Sequence, residues 1–295
     1  GAVPVYADVR KDTFLIDIDD LKKKITNKTK AIMLVHVLGN CTNMDELVKI
    51  KKAKNLILIE DTCESLGTKF KNKYLGTFGE FSSFSFYSSH QISSGEGGMI
   101  CCKNLEDYEI LKSLRAHGWS RGLKNEKQIA KKNKLLDKRF IFYNSGFNLR
   151  STDIAASIGL SQFNDLDLFI KNRSKNRNTI RNNIHKSNIL RENLFLIKEN
   201  KNVKASWFGI PILLTKKINK TKFIKSLEKR GVETRPIISG NFLKQPSVKK
   251  YKLNNSNNFK NADYINKNGF FIGLPTNIIS KTKVKKLVRA LEQSL

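Results

Sequence analysis

Short apolar runs and amphipathic stretches alternate along the first part of the chain. VPVYADV, IDDLKKKI, AIMLVHVLG, MDELVKIKKA and LILIED follow one another between residues 3 and 61. The apolar runs have strand length, and the polar stretches between them carry helical spacing. This alternation predicts βαβ units, and so a largely parallel sheet with helices packed on it. In sheets of that kind functional groups collect at the carboxyl edge of the strands. Asp61, the last residue of LILIED, is predicted to stand at such an edge.

Two β-rich runs come next, FSSFSFYSS and GGMICC, separated by HQISSGE. Helical patterns follow at about 105–117 and from Thr152 onward, with Thr152 or Asp153 as the cap. A long basic helical connector runs to about residue 188. Beyond it WFGIPILL, a helix near 221–230, ETRPIIS and a final helix near 281–295 predict a smaller α+β unit. The expected division is a large domain with its connecting helix over 1–188 and a small C-terminal domain over 189–295. There is no internal repeat and no low-complexity tract.

At 295 residues and 39% hydrophobic content, the chain is long enough for a substantial core. No run of eighteen apolar residues occurs, and the opening GAVPVYADVRKD lacks the features of a signal peptide. The expectation is therefore a cytoplasmic protein with no membrane partner. Cys41, Cys63, Cys101 and Cys102 form no C-x-x-C pair, and adjacent cysteines cannot easily share one tetrahedral site, so free thiols and no structural metal are expected.

The formal charge of +29 raises the question of nucleic acid. Residues 1–150 contribute 26 − 17 = +9 and residues 151–295 contribute 29 − 9 = +20. The C-terminal excess is scattered lysine among asparagine and isoleucine, without a basic run interleaved with aromatics. A solvated surface is the expected reading, with no nucleic-acid partner.

Against that background, residues 74–102 contain no lysine or arginine, although 55 of the 295 residues are basic. Even usage would place roughly five there. A pair of buried strands would exclude basic side chains. So would an anion-binding cofactor pocket whose titratable base is His90.

The neighbours of His90 favour the pocket. I-E-D-T-C-E-S-L-G (59–67), G-T-F-G (76–79) and S-F-Y-S-S-H-Q-I-S-S-G-E-G-G (85–98) resemble, in order and spacing, a signature of the DegT/DnrJ/EryC1/StrS sugar aminotransferase family. The resemblance continues through L-R-A-H-G-W (114–119), G-F-N-L-R-S-T-D (146–153), S-W-F-G-I-P (206–211) and R-P-I-I-S-G-N-F-L-K-Q-P (235–246). It implies the aspartate-aminotransferase fold (fold type I of the pyridoxal phosphate enzymes), with a mixed, mostly parallel sheet in the large domain and a small C-terminal α+β domain. It also implies a pyridoxal 5'-phosphate or pyridoxamine 5'-phosphate cofactor.

By the same resemblance Asp61 faces the cofactor's pyridine nitrogen, Ser85 binds its phosphate, Asn148 reaches that phosphate from a neighbouring subunit, and Glu64 belongs to the cofactor site. A homodimer is implied. The family's opening helices, S-G-T-like turn and early strand have no counterpart here, so the N-terminal part of the large domain, including some of the cofactor cradle, is expected to be absent.

One position departs from the aminotransferases. The fifth residue after the phosphate-binding serine is their covalent cofactor lysine, and here it is His90. Imidazole cannot hold the cofactor's aldehyde in a stable covalent bond, but it can take and return a proton near neutral pH. The exchange marks the resemblance as one to the 3-dehydratase branch, which acts on GDP- or CDP-linked 4-keto-6-deoxy sugars in 3,6-dideoxysugar formation.

Relatives of that branch with an iron–sulfur cluster carry several cysteines beyond L-R-A-H-G-W, and this chain has none after Cys102. The subgroup implied is the cluster-free one, which uses L-glutamate, with Ser89, His117 and Arg150 as contacts for substrate or glutamate. Two other readings stay open: an aminotransferase that recruits Lys71 or Lys73, and a pocket-retaining relative without catalysis.

Overall fold

A computed structural model describes residues 1–253 and 259–295. Its first sheet has the order β1 (Ala31–Val35), β2 (Ile57–Asp61), β5 (Phe81–Ser85), β6 (Gly98–Cys102). The first two pairings are parallel and the last is antiparallel. A three-stranded sheet joins β3 (Lys69–Phe70), β4 (Lys73–Tyr74) and β8 (Val203–Lys204). The third sheet is antiparallel throughout, in the order β10 (Arg235–Pro236), β11 (Gly269–Gly273), β9 (Gly209–Leu214), β7 (Leu194–Leu196).

The helices begin where short polar side chains satisfy the free amides of a first turn. Asp17 caps α1 (Ile18–Lys24), Asn43 caps α2 (Met44–Ala53) and Asn104 caps α3 (Leu105–Arg115). After α4 (Glu126–Lys132), Thr152 rather than Asp153 caps α5 (Asp153–Phe163), and the long α6 (Leu166–Lys186) and short α7 (Asn188–Asn193) follow. Asn219 caps α8 (Lys220–Lys229), and Ser280 caps α11 (Lys281–Glu292) after α9 (Pro246–Lys250) and α10 (Lys260–Asn268).

Strand alternation decides which face carries chemistry. In β1, Ile32 and Leu34 are buried with Met44, Leu47 and Leu58, while Met33 and Val35 point the other way and are exposed. The register Val35, Asp61, Ser83 across β1, β2 and β5 carries that second face to the strand ends. Asp61 stands on it, and Glu60, one residue earlier, points into the opposite, buried side. A second core lies over β9, whose six residues are all buried, with Phe223 and Leu227 of α8 and Val284 and Leu291 of α11.

Three expectations need correction. VPVYADV forms no strand: Pro4 has no amide hydrogen to give a ladder, and of this run Val9 alone makes a bridge, to Ile16. Asp8 of that run accepts instead from the amides of Asn261 and Ala262 at the start of α10. ETRPIIS shrinks to a two-residue strand, after which Ile238 turns into the left-handed region at φ 46°. Finally, β5 and β6 are not a buried pair, since Ser82 is their one fully buried residue and Met99 and Ile100 are exposed. Burial alone therefore does not account for the missing lysines of residues 74–102.

Candidate active site

The carboxyl ends of β2 and β5 are held together by short polar groups. Asp61 Oδ1 accepts from the Cys63 amide at 3.1 Å and from the Ser83 hydroxyl at 3.4 Å. Beneath them Glu60 is fully buried, and its carboxylate accepts from the amides of Gly76, Phe78 and Gly79 and meets His36 Nε2 at 3.1 Å. Burial would raise the Glu60 pKa, but the donors from His36, Gly79 and Gly76 together hold it below the usual carboxylate range. The G-T-F-G turn is thus anchored by the neighbour of Asp61.

Glu64 sits in the turn after β2, where Oε2 accepts from the Leu38 amide at 2.8 Å. Burial, with a smaller push from the Asp61 charge, raises its pKa to about 7 despite that hydrogen bond. It titrates near neutrality. Ser85 ends β5, and its hydroxyl accepts from the Tyr87 amide. Ser89 is exposed in the turn that His90 closes by donating its amide to Tyr87 O at 2.9 Å.

The His90 ring is half-buried and forms T-shaped pairs with Phe208, at 5.2 Å between centroids, and Tyr87, at 6.2 Å. Its Nδ1 is buried and has no hydrogen-bond partner among the described residues. Burial lowers the His90 pKa, the Arg173 charge lowers it further, and Asp61 opposes both. The segment after His90 is clamped from two sides. Gln91 Nε2 donates to Glu64 O at 2.6 Å and to Ser206 O at 3.3 Å, and Gln162 of α5 exchanges two hydrogen bonds with the backbone of Ser93.

His117, Asn148 and Arg150 form a second group. The L-R-A-H-G-W and G-F-N-L-R segments run side by side: Phe147 donates to Leu114 O, His117 to Phe147 O and Leu149 to Arg115 O. Gly118 permits this approach, because a Cβ there would lie 1.8 Å from Asn144 O and its φ is +82°. His117 and Arg150 both lie against the Trp119 ring, at 4.9 Å and 5.5 Å. Asn148 and Arg150 are exposed on this chain. Among the described residues no hydrogen bond or ion pair joins this group to Asp61, Glu64, Ser85, Ser89 or His90.

Sequence reading missed Arg173, Phe208 and the Glu60–His36 pair. Phe208 lay within the S-W-F-G-I-P block and Glu60 within I-E-D, but neither carried a role there. Arg173 was one basic residue among many in the connector helix. Lys71 and Lys73 are accounted for elsewhere: Lys71 pairs with Asp45, and Lys73 lies over the Phe78 ring on the β3–β4 hairpin.

The sequence matches the DegT/DnrJ/EryC1/StrS aminotransferase family over residues 1–292. The chain belongs to that family. It is 38% identical, over 273 residues, to the GDP-4-keto-6-deoxy-D-mannose 3-dehydratase of Escherichia coli O55:H7, an alignment that covers 91% of this chain and 69% of that protein. Two solved structures of GDP-4-keto-6-deoxymannose-3-dehydratase superpose with TM-scores of 0.87 at 36% identity, covering 97% of this chain and 73% of theirs. One is a variant with bound GDP-perosamine, and the other holds a trapped adduct of pyridoxal phosphate and glutamate. The fold is the aminotransferase fold expected from the motifs. Among the described residues no helix is long and apolar enough to cross a membrane.

Proposed function

We propose that this protein is a pyridoxal phosphate-dependent lyase that removes the C3 hydroxyl of a GDP-linked 4-keto-6-deoxyhexose, with L-glutamate restoring the pyridoxamine form of the cofactor. The observation that carries this reading is His90. A half-buried imidazole with an unpartnered Nδ1 occupies the family's lysine position at the carboxyl edge of the sheet.

The residues fit a phosphate-bearing pyridine cofactor. Asp61 offers a carboxylate at a strand end, Ser85 a hydroxyl at the next, and His90 a polar atom whose burial calls for a partner. Asp61 would pair with the pyridine nitrogen, Ser85 with the phosphate, and Asn148 with the phosphate across a subunit boundary. When bound, the cofactor supplies an electron sink for breaking the C–O bond. Burial raises the Glu64 pKa to about 7, so this carboxyl adds less negative charge beside Asp61 near neutrality than an ordinary glutamate would. His90, held neutral, takes a proton onto the imidazole and returns it to the hydroxyl oxygen as that oxygen departs as water. Arg150 would clamp the glutamate carboxylate, with His117 beside it and Ser89 toward the sugar.

A homodimer belongs to this reading. Asn148 and Arg150 face outward among the exposed apolar side chains Phe147, Leu149, Ile154 and Leu160, a surface suited to a second copy that would complete the site. So does the division into a large cofactor-binding domain at 1–188 and a small domain at 189–295. The test is direct. Protein mixed with pyridoxal phosphate and glutamate should convert the aldehyde absorbance to that of the amine, and sedimentation should show a dimer. A persistent aldehyde spectrum or an active monomer would contradict the proposal.

A further inference from the structure

A catalytic imidazole is ordinarily aimed by the hydrogen bond that its other ring nitrogen makes. His90 has no such bond on Nδ1, which is buried and without a partner among the described residues. Its backbone is fixed, by its own amide to Tyr87 O and by the anchored side chain of Gln91 next to it, but these contacts leave the side-chain torsions free. The direction of the ring must come from what the ring touches.

Two aromatic rings pair with it, and they are not equivalent. Tyr87, at 6.2 Å, belongs to the same turn and is exposed. Phe208, at 5.2 Å, is closer and comes from the segment that leads into β9. Its own ring is held. It forms a second T-shaped pair with Phe271 of β11, at 5.9 Å, and packs on the cluster that contains Phe14, Leu38, Ile237 and Phe271. Its amide donates to Leu38 O at 3.1 Å. Gly209 makes room for Phe271, since a Cβ there would lie 2.6 Å from the Phe271 ring. The row His90, Phe208, Phe271 therefore runs from the sheet edge into a buried core, at spacings that aromatic pairs favour.

We propose that Phe208 is a positioning residue for His90: its phenyl ring, braced by Phe271, sets the direction of the imidazole by packing and keeps water from one side of it. The proposal rests on the reading of His90 as the proton carrier. Asp61 of β2 and Arg173 of α6 act on the ring through their charge, and Tyr87 of the same turn adds a phenol. Phe208 and Phe271 bring no charge, so changes at Phe208 leave those groups in place.

The test is histidine-resolved NMR of the purified protein, with His90 identified among the four histidines by its loss in His90→Asn. In wild type the His90 ring protons should show cross-relaxation to the Phe208 ring. Phe208→Ala lets water reach the imidazole, so the His90 titration midpoint should rise by about half a pH unit, and Phe208→Tyr, which keeps the ring, should leave it near wild type. In the cofactor-loaded protein Phe208→Ala should lower kcat for dehydration by roughly tenfold or more without weakening cofactor binding, as expected for a misaimed base, and Phe208→Tyr should restore it. If Phe208→Ala does not fold, Phe208→Leu serves, because it keeps apolar bulk and loses the ring. The His90 ring should then average between rotamers, read from its side-chain three-bond couplings, and a single retained rotamer would contradict the proposal. Absent cross-relaxation, an unchanged midpoint in Phe208→Ala, or an equal rise in Phe208→Tyr overturns it. Cross-relaxation and a raised midpoint in a protein that never dehydrates sugar would support Phe208 and sink the dehydratase reading. Dehydration with an unmoved midpoint would do the reverse.

Discussion

The two groups of candidate residues are built in opposite ways. Asp61, Glu64 and His90 stand at the edge of a sheet, and the segments that carry them are tied down by buried hydrogen bonds from Glu60, Gln91 and Gln162. His117, Asn148 and Arg150 lie on two strapped loops whose outer surface is open. The first group is pre-formed inside a single chain. The second presents its polar groups outward, as a contribution to a neighbour would require. Variants in and beneath the first group should therefore disturb stability or proton chemistry, and variants in the second should disturb ligand capture alone.

The largest effect is expected at Glu60. Glu60→Ala leaves three amides and His36 facing a cavity, and removing one partner of such a buried network should cost about 3–5 kcal/mol, read from denaturant unfolding. Because the folded pKa of Glu60 is depressed, its contribution is present above the unfolded value of 4.5 and is lost as pH falls through the folded one. Glu60→Gln should flatten that acid limb, and an unaltered limb would show that the network is not what fixes the turn.

His90→Asn comes second. Dehydration should fall by at least ~10²-fold while cofactor binding and unfolding midpoint stay close to wild type. A small loss would remove His90 from the reaction. Glu64 tests the interior from the other direction, since its raised pKa means that stability present below 4.5 is lost as pH rises through about 7. Glu64→Gln, unable to ionise, should exceed wild type in stability at pH 8 by on the order of 2 kcal/mol and match it more nearly at pH 5. Equal curves would mean that the carboxyl is already solvated.

Arg150→Ala should give the smallest change. Loss of one charge-assisted hydrogen bond is worth about 1.5 kcal/mol, so roughly tenfold more glutamate should be needed to convert the cofactor, with no change in unfolding. A fall in stability would mean that the loops are load-sharing structure and not a presented surface.

Much of this was legible in the residues. Strand-and-helix alternation placed Asp61 at a carboxyl edge, Thr152 sits where a helix begins, and the family motifs pointed to the aminotransferase fold. What stayed hidden depends on direction and partner. Glu60 and Asp61 are adjacent, and only the pleat, once registered against β1 and β5, sends one into the core and the other into the site. Arg173 reads as one more solvated charge in a basic helix until α6 is seen docked against Ala205 and Ser206. VPVYADV has strand composition, but among the described residues it pairs only through the Val9 bridge.

The central claim is elimination at C3 rather than amination at C4, and mass analysis of the sugar product tests it most directly. The protein is supplied with pyridoxal phosphate, excess glutamate and a GDP-linked 4-keto-6-deoxyhexose. The expected product is a sugar that has lost one oxygen and gained no nitrogen, with ammonia and the keto acid of glutamate formed alongside. An amino sugar that keeps its C3 oxygen would contradict it.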